Sequence, residues 1–542
     1  MQMIKKHMYL LLLVALAAAC KKDNETVYPD PYAGGKPPLG VVFSTELPSP
    51  AVGSSGDKVT FKVTGLLPYK DSLHFFLSGQ QAQVTSVTDN SITVVVPPAA
   101  SSGTGSVNIG QQTFYTAVFK VKGKARIDNT FKSGTGTDQS INQLIATSDN
   151  RYLLLGAFKV YNSNGIGNPL NGIAMIEKHG DFVAAFKTDS AVGRTGMISS
   201  GIQLSDNKFI LGGFFDRYGY RKELNNVVRI HPAGLIDTAV VQIIPADDAA
   251  GSTDPAQQEN RSKDTVSALN GGVTGQVSNM YQSGNRVLML GNFYGYVQYF
   301  YKNSTKTQRT IDRRDINSVA AIDRNGNLDS TYHYDLNMHR GKPGAAGFLT
   351  DGALLPDGRL VVGGFFNKFD NVSAANIACL DVNGNIDGSF KAGTGANDRI
   401  YSLRYNKNTK KIIVTGNFTT FNGVPCNGIV MLNEDGSMVT SFQSRTFTGG
   451  VPNHAIQLNN GKLVVAGNFE KYDGYVRRGL MILNPDGSLA AGYNNTGMLA
   501  GFVNGMVESV SAEGEPAVII YGSIVAFDNT SVGNIFRLVL EK

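Results

Sequence analysis

Seven octets in this chain align without a gap: RYLLLGAF (151–158), KFILGGFF (208–215), RVLMLGNF (286–293), RLVVGGFF (359–366), KIIVTGNF (411–418), KLVVAGNF (462–469) and AVIIYGSI (517–524). The sixth position is Gly in all seven, and the eighth is Phe in six and Ile in the last. Each octet is an apolar run. Most follow a turn signal, such as PDG at 356–358 or NNG at 459–461, as expected of a strand buried on both faces. Successive octet glycines are spaced 57, 78, 73, 52, 51 and 55 residues apart, so two repeats carry insertions. After each octet come a loop, another strand, an N-G or D-G turn and a closing hexamer. The hexamers are DFVAAF (181–186), LIDTAV (235–240), NLDSTY (327–332), NIDGSF (385–390), SMVTSF (437–442) and SLAAGY (488–493), six for seven octets. The missing one stands at the front, as RIDNTF (126–131), and IDNTFKSGTG (127–136) recurs as IDGSFKAGTG (386–395). Four strands repeated seven times predict a β-propeller. The orphan hexamer supplies the outer strand of the last blade and so closes the ring.

Composition agrees with an all-β chain. Of 542 residues, 62 are Gly, none is Trp, 42% are apolar and 17% are charged. The net charge of +6 is spread thinly. Its densest cluster, Arg309, Arg313 and Arg314, is offset by Asp312 and Asp315, so a nucleic-acid partner is not expected. Lys5 and Lys6 precede an apolar run, Met8 to Ala19, too short to span a bilayer. It ends in LAAAC at Cys20, with KKDNE following. Pro29, Pro31, Gly34, Gly35, Pro37 and Pro38 then mark a tether. Cys379 and Cys426 both lie in apolar-alternating stretches and are expected to be buried free thiols. Residues 39–123 alternate as short strands, such as KVTFKVTG (58–65), LHFFLSG (73–79) and SITVVVPP (91–98), at the spacing of a small β-sandwich.

Candidate sites are few. DRNGNLD (323–329) and DVNGNID (381–387) have the acids and amides of a calcium loop, but the same slot reads NEDGSM and NPDGSL in other repeats. We read it as a hairpin turn and expect no metal. His333 and His339 lack the spacing to share a metal. No catalytic motif is found, and neither catalytic residues nor a cofactor are expected. Two groups stand out as ligand-binding candidates. One is aromatic: Tyr218 and Tyr220 in RYGYR, then Tyr294, Tyr296, Tyr299 and Tyr301 in NFYGYVQYFYKN, whose rings suit stacking on a sugar face. The other lies where the first strand of each blade meets the channel mouth: Asn142, Ser200, Asn279, Asp351, Ser402, Asn453 with His454, and Asn504. A single carboxylate there argues against glycoside hydrolysis, which uses two. A set of amides and hydroxyls could hydrogen-bond a polyol or simply satisfy the backbone.

Three resemblances extend this reading. LAAAC followed by KKDNE resembles a bacterial lipoprotein signal with the surface-export tag of Bacteroidota. It implies removal of residues 1–19, lipidation of Cys20, a tether over 20–38 and an outer-membrane location facing outward. PSPAVGSSGDKVTFKVTG and FLSGQQAQVTSVTDNSITVVVPP resemble the TIG (IPT) immunoglobulin-like domains, implying such a domain over 39–123. LLPDGRLVVGGFFNKFDNVSAANIACLDVNGNIDGSF resembles the delta-60 β-propeller repeat, implying a seven-bladed propeller over 124–542. Together they imply a non-enzymatic surface lipoprotein that binds extracellular polysaccharide beside an outer-membrane uptake complex, touching the membrane through its lipid alone. The alternatives are an adhesive or structural module contacting another surface protein, and a propeller enzyme acting on polysaccharide.

Overall fold

All seven octets form the second strand of a separate antiparallel sheet. The structure, a computed structural model, describes residues 38–245 and 262–542, so the signal segment, Cys20 and most of the tether lie outside the described residues. We number the sheets I to VII in chain order. Their first strands are Ile141–Ala146, Met197–Gln203, Gly272–Ser283, Ala345–Leu354, Ile400–Asn406, Pro452–Gln457 and Leu499–Val510. Their second strands are Tyr152–Gly156, Phe209–Phe214, Arg286–Tyr299, Leu360–Phe369, Lys411–Gly416, Leu463–Gly467 and Pro516–Phe527. A third strand, such as Ile173–Ile176 in sheet I or Ile535–Leu540 in sheet VII, completes each one. Each first strand touches the first strand of the next sheet, and that of sheet VII touches that of sheet I.

The glycine of every octet has one steric reason. A Cβ on Gly156, Gly213, Gly291, Gly364, Gly416, Gly467 or Gly522 would lie 2.1 to 2.3 Å from a backbone carbonyl oxygen of the first strand or the residue entering it, far inside contact distance. Opposite each glycine the first strand carries a β-bulge, at residue 142, 199, 278, 350, 401, 453 or 504. The extra residue pushes the carbonyl toward the second strand, and only a residue without a side chain leaves room. The glycine N–H donates the other way, to the loop entering the third strand, at 2.9–3.1 Å. The eighth octet position is buried in all seven sheets, whereas the seventh is exposed in six of them, so the octet is buried on both faces only up to its glycine.

The closing hexamers are shorter than the sequence implies. In sheets I to VI each pairs through one bridge, such as Ile176 to Phe182 or Leu380 to Ile386. In sheets III and IV the chain then turns at once around an Asp side chain. Asp329 Oδ1, for instance, accepts the Thr331 N–H at 2.9 Å. The front copy pairs more fully. Ala125–Ile127 lies antiparallel to the last strand of sheet VII, with Ile127 opposite Leu538 and Ala125 opposite Leu540. The orphan line is therefore hydrogen-bonded to the end of the chain. In sheet II the hexamer instead runs into Thr238–Gln242, which pairs with Lys263–Ser267, and the long second strand of sheet III also pairs Ile311–Arg314. These two hairpins account for the wide octet spacings.

Residues 42–121 form one curled eight-stranded sheet, where the sequence implied a two-sheet sandwich. Gln80–Val87 is the reason. Residues 80–82 pair with Leu73–Leu77, and from Gln83 onward, across a bulge between Val84 and Ser86, the strand pairs with Ser91–Val95, so one strand joins both layers. Val59, Phe61, Phe75, Ile92, Val94 and Phe119 fill the inside. Asn495, between sheets VI and VII, ties this sheet down. Its Nδ2 donates to Val121 O (3.2 Å) and Ala125 O (3.0 Å), and its backbone carbonyl accepts from Ser102.

Candidate functional site: a polar cavity with an aromatic rim

All seven first strands contribute to the wall of one cavity of about 630 Å³. Every channel-mouth candidate from the sequence lines it. The bulges, however, shift their register. Asn142, Asn453 and Asn504 are bulge residues, while Ser200, Asn279, Asp351, Ser402 and His454 stand one position further on. Most of these side chains join one sheet to the next. Asn142 Nδ2 donates to Ile198 O (3.0 Å), Thr350 Oγ1 to Ile400 O (2.6 Å), Asn453 Nδ2 to Val503 O (2.7 Å) and Asn504 Nδ2 to Ile141 O (2.9 Å). Ser200 Oγ accepts the Met280 N–H at 3.0 Å. These groups spend hydrogen bonds on the neighbouring backbone and hold sheet to sheet.

Asp351 is the most heavily committed. Its Oδ1 accepts from Gly352 N–H (2.9 Å) and Asn279 Nδ2 (3.1 Å), and its Oδ2 from Leu403 N–H (2.8 Å) and Arg404 Nη1. Burial pushes its carboxyl up, against the opposing pull of Arg404 and the two backbone N–H groups. Arg404, which sequence reasoning missed, lies two residues beyond Ser402 on the same strand and so faces the same way. Burial, and secondarily Arg404, holds His454 well below 6.5, so its imidazole is neutral at pH 7. Its Nε2 is buried and has no partner among the described residues.

Two positions before the bulges stand Met197, Gln276, Phe348, Arg399 and Phe502. Met197, Gln276 and Phe502 line the cavity, and Phe348 and Arg399 hold the equivalent strand positions in sheets IV and V. Phe214 lies opposite Met197, and Phe365 opposite Phe348. Phe214, Phe348, Phe365 and Phe502 are 57%, 36%, 47% and 53% exposed, although such residues are normally buried. The Phe348 and Phe365 ring centroids are 5.8 Å apart, and the Arg399 guanidinium sits 4.7 and 5.3 Å from them.

The tyrosine group divides. Tyr218 and Tyr296 are core residues, a correction to the sequence expectation. They are 1% and 2% exposed, and their hydroxyls donate to Gly234 O (2.7 Å) and Gly326 O in the turn that precedes the closing hexamer of their own sheets. Tyr161 and Tyr472 do the same in sheets I and VI, and Phe369, Phe421 and Phe527 fill the equivalent place in the others. In each case the aromatic stands five residues after the octet glycine, a signal present in the sequence. Tyr294 is exposed beneath Arg313. Tyr220, Tyr299 and Tyr301 line a second cavity of about 280 Å³ with Arg309, which bridges Glu223 (3.0 Å) and Asp264 (2.6 Å). Tyr299 and Tyr301 stack at 5.8 Å.

The calcium-like acids turn inward to their own backbone. Asp323 Oδ1 accepts from the N–H groups of Asn325 and Asn327, and Asp381 Oδ1 from those of Asn383 and Asn385. This is hairpin-turn chemistry. Cys379 and Cys426 are buried free thiols, and burial pushes each up to about 12. His333 Nε2 lies 3.1 Å from Asp370 Oδ1, while His339 is exposed.

Comparison with known proteins gives three family matches, none over half the chain. Residues 16–117 match a domain of unknown function, DUF5008. Residues 355–390 match the DUF5122 beta-propeller domain of unknown function, and 379–531 match the Rax2 C-terminal beta propeller domain. No curated protein matches. Solved structures similar to the chain include a structural genomics protein of unknown function from Bacteroides thetaiotaomicron (13% identity, 93% of this chain and 99% of that one, TM-score 0.25). Another is an auxiliary nutrient binding protein from Bacteroides ovatus (10% identity, 93% and 98%, TM-score 0.27). A third is the computationally designed Ika8 protein (12% identity, 85% and 98%, TM-score 0.36). The family matches over residues 355–531 are of propeller type, in an all-β chain whose N-terminal part is a curled sheet.

Proposed function

We propose that the seven sheets are the blades of a closed propeller and that its cavity mouth binds an extracellular polysaccharide without cleaving it. In this reading residues 39–123 form a TIG-like spacer, and a lipid on Cys20 holds the protein on the outer surface of a Bacteroidota outer membrane, beside the machinery that imports the glycan. The observation that carries it is a polar cavity lined by exposed Phe502, with exposed Phe348 at the equivalent strand position of sheet IV and Phe365 opposite it. Flat aromatic faces beside hydrogen-bonding groups are the pairing that a sugar ring, apolar on its C–H face and polar at its edge, calls for. The commitment of Asp351 to four donors supports binding over hydrolysis, because a carboxylate with no free lone pair is a poor acid, base or nucleophile.

The test is a glycan array probed with the soluble chain from residue 21, with product analysis of every polysaccharide retained. The reading expects retention with undiminished polymer length. Failure to retain any polysaccharide, or shortening of one, removes it. The anchor has its own test. Cys20→Ser should leave the protein unprocessed or move it from the membrane fraction to the soluble one; an unchanged membrane fraction of processed protein would contradict lipidation.

A further inference from the structure

The cavity wall holds a cation with donors to spare. The hydrogen bonds of the Arg404 guanidinium all leave from Nη1, to Asp351 and to Leu403 O (2.7 Å). Among the described residues Nε and Nη2 have no acceptor, and the side chain is 33% exposed, into the cavity it lines. Asp351, the one carboxylate in that lining, is occupied by four donors and offers no competing acceptor. Above it, Arg399 rests on Phe348 and Phe365 and makes no ion pair among the described residues. The unpartnered Nε2 of His454 lies in the same wall.

We propose that this wall is a subsite for an anionic substituent, carboxylate or sulfate, on the bound glycan, and that Arg404 is its anchor. The inference rests on the glycan-binding reading of the mouth. Nε and Nη2 form the side of the guanidinium fork that takes a carboxylate or a sulfate through two parallel hydrogen bonds. Because Nη1 is already fixed by Asp351 and Leu403 O, that fork is held in place before the ligand arrives, so less side-chain freedom is lost on binding. Arg399, at the rim, adds a second positive charge on the path inward.

The experiment measures affinity of the soluble chain for polygalacturonate, dextran sulfate and neutral dextran. It compares the wild type with the double variant Arg404→Gln with Asp351→Asn. The double variant leaves no lone buried carboxylate and keeps the net charge, so general attraction of polyanions is unchanged; a thermal melt reports folding. The proposal expects at least one acidic polymer to bind tenfold or more tighter than dextran, and the double variant to lose that preference, read as the ratio of its acidic-polymer to dextran affinities. Which acidic polymer prevails names the substituent. Equal affinity of the wild type for all three, or a preference that survives in the double variant, overturns the anionic subsite and leaves the glycan reading standing. Binding of none of the three, with no polysaccharide retained on the array, overturns both.

Discussion

Arg537→Leu should cost about 3–5 kcal/mol of stability, the usual penalty for stranding a buried charge by removing its partner. Arg537 and Asp128 are both fully buried, 2.6 Å apart from Nε to Oδ2. The guanidinium also donates to Lys178 O (3.2 Å) and Thr130 Oγ1 (3.3 Å), lies 3.1 Å from His179 Nδ1 and covers the Phe131 ring at 5.0 Å. Arg537 is on the last strand of the chain. Asp128, Thr130 and Phe131 belong to the front segment, and Lys178 and His179 to the turn of sheet I. One side chain therefore ties both ends of the repeat array to the sheet where the array begins. Urea unfolding of the single variant, of Asp128→Asn and of the pair gives the coupling energy directly. A loss under 1 kcal/mol would mean that the pair does no more than the exposed Lys62–Glu46 bridge, for which roughly 0–1 kcal/mol is expected.

The same pair sets a pH dependence. Burial pushes the Asp128 carboxyl up, but hydrogen bonds from Thr130 and Arg537 outweigh it and hold the group below its ordinary 3.8. A depressed carboxyl contributes stability that is complete above its unfolded value and is lost as pH falls through the folded one. Wild-type stability should therefore fall below pH 3.8, and the Asp128→Asn variant should lack that share of the fall.

The repeat was legible because each octet must satisfy two demands at once, a core face and a close approach at its glycine. The pairing of the front segment with the last strand was legible because the front hexamer keeps the pattern of its six relatives. The register of the cavity was not. A β-bulge breaks the period of two without leaving a mark on residue type, so Asn142 and Ser200 read as equivalents although they stand one position apart. Tyr218 and Tyr296 were misplaced for a different reason. They sit among exposed tyrosines, and crowding of aromatics hid the fixed five-residue distance from the octet glycine that marks a core ring. Phe214 and Phe365 show the converse. Inside GGFF both phenylalanines look like core, yet the pleat turns the first one outward once the glycine is passed.

The mouth supplies the second large effect. Phe348→Ala with Phe365→Ala removes two exposed rings and the seat of Arg399. At about 1–3 kcal/mol per stacked ring, borrowing the figure for bases on aromatics, affinity for a bound polysaccharide should drop at least tenfold. Both rings are part-exposed, so the melting temperature should barely move. Tyr220→Ala with Tyr299→Ala disturbs the other aromatic cavity and serves as the comparison. The decisive measurement is a calorimetric titration of the polysaccharide that the array retains into these two double variants and the wild type. The account predicts a loss of tenfold or more for Phe348→Ala with Phe365→Ala and unchanged affinity for Tyr220→Ala with Tyr299→Ala. The reverse pattern would place the ligand in the tyrosine cavity and contradict the assignment of the mouth.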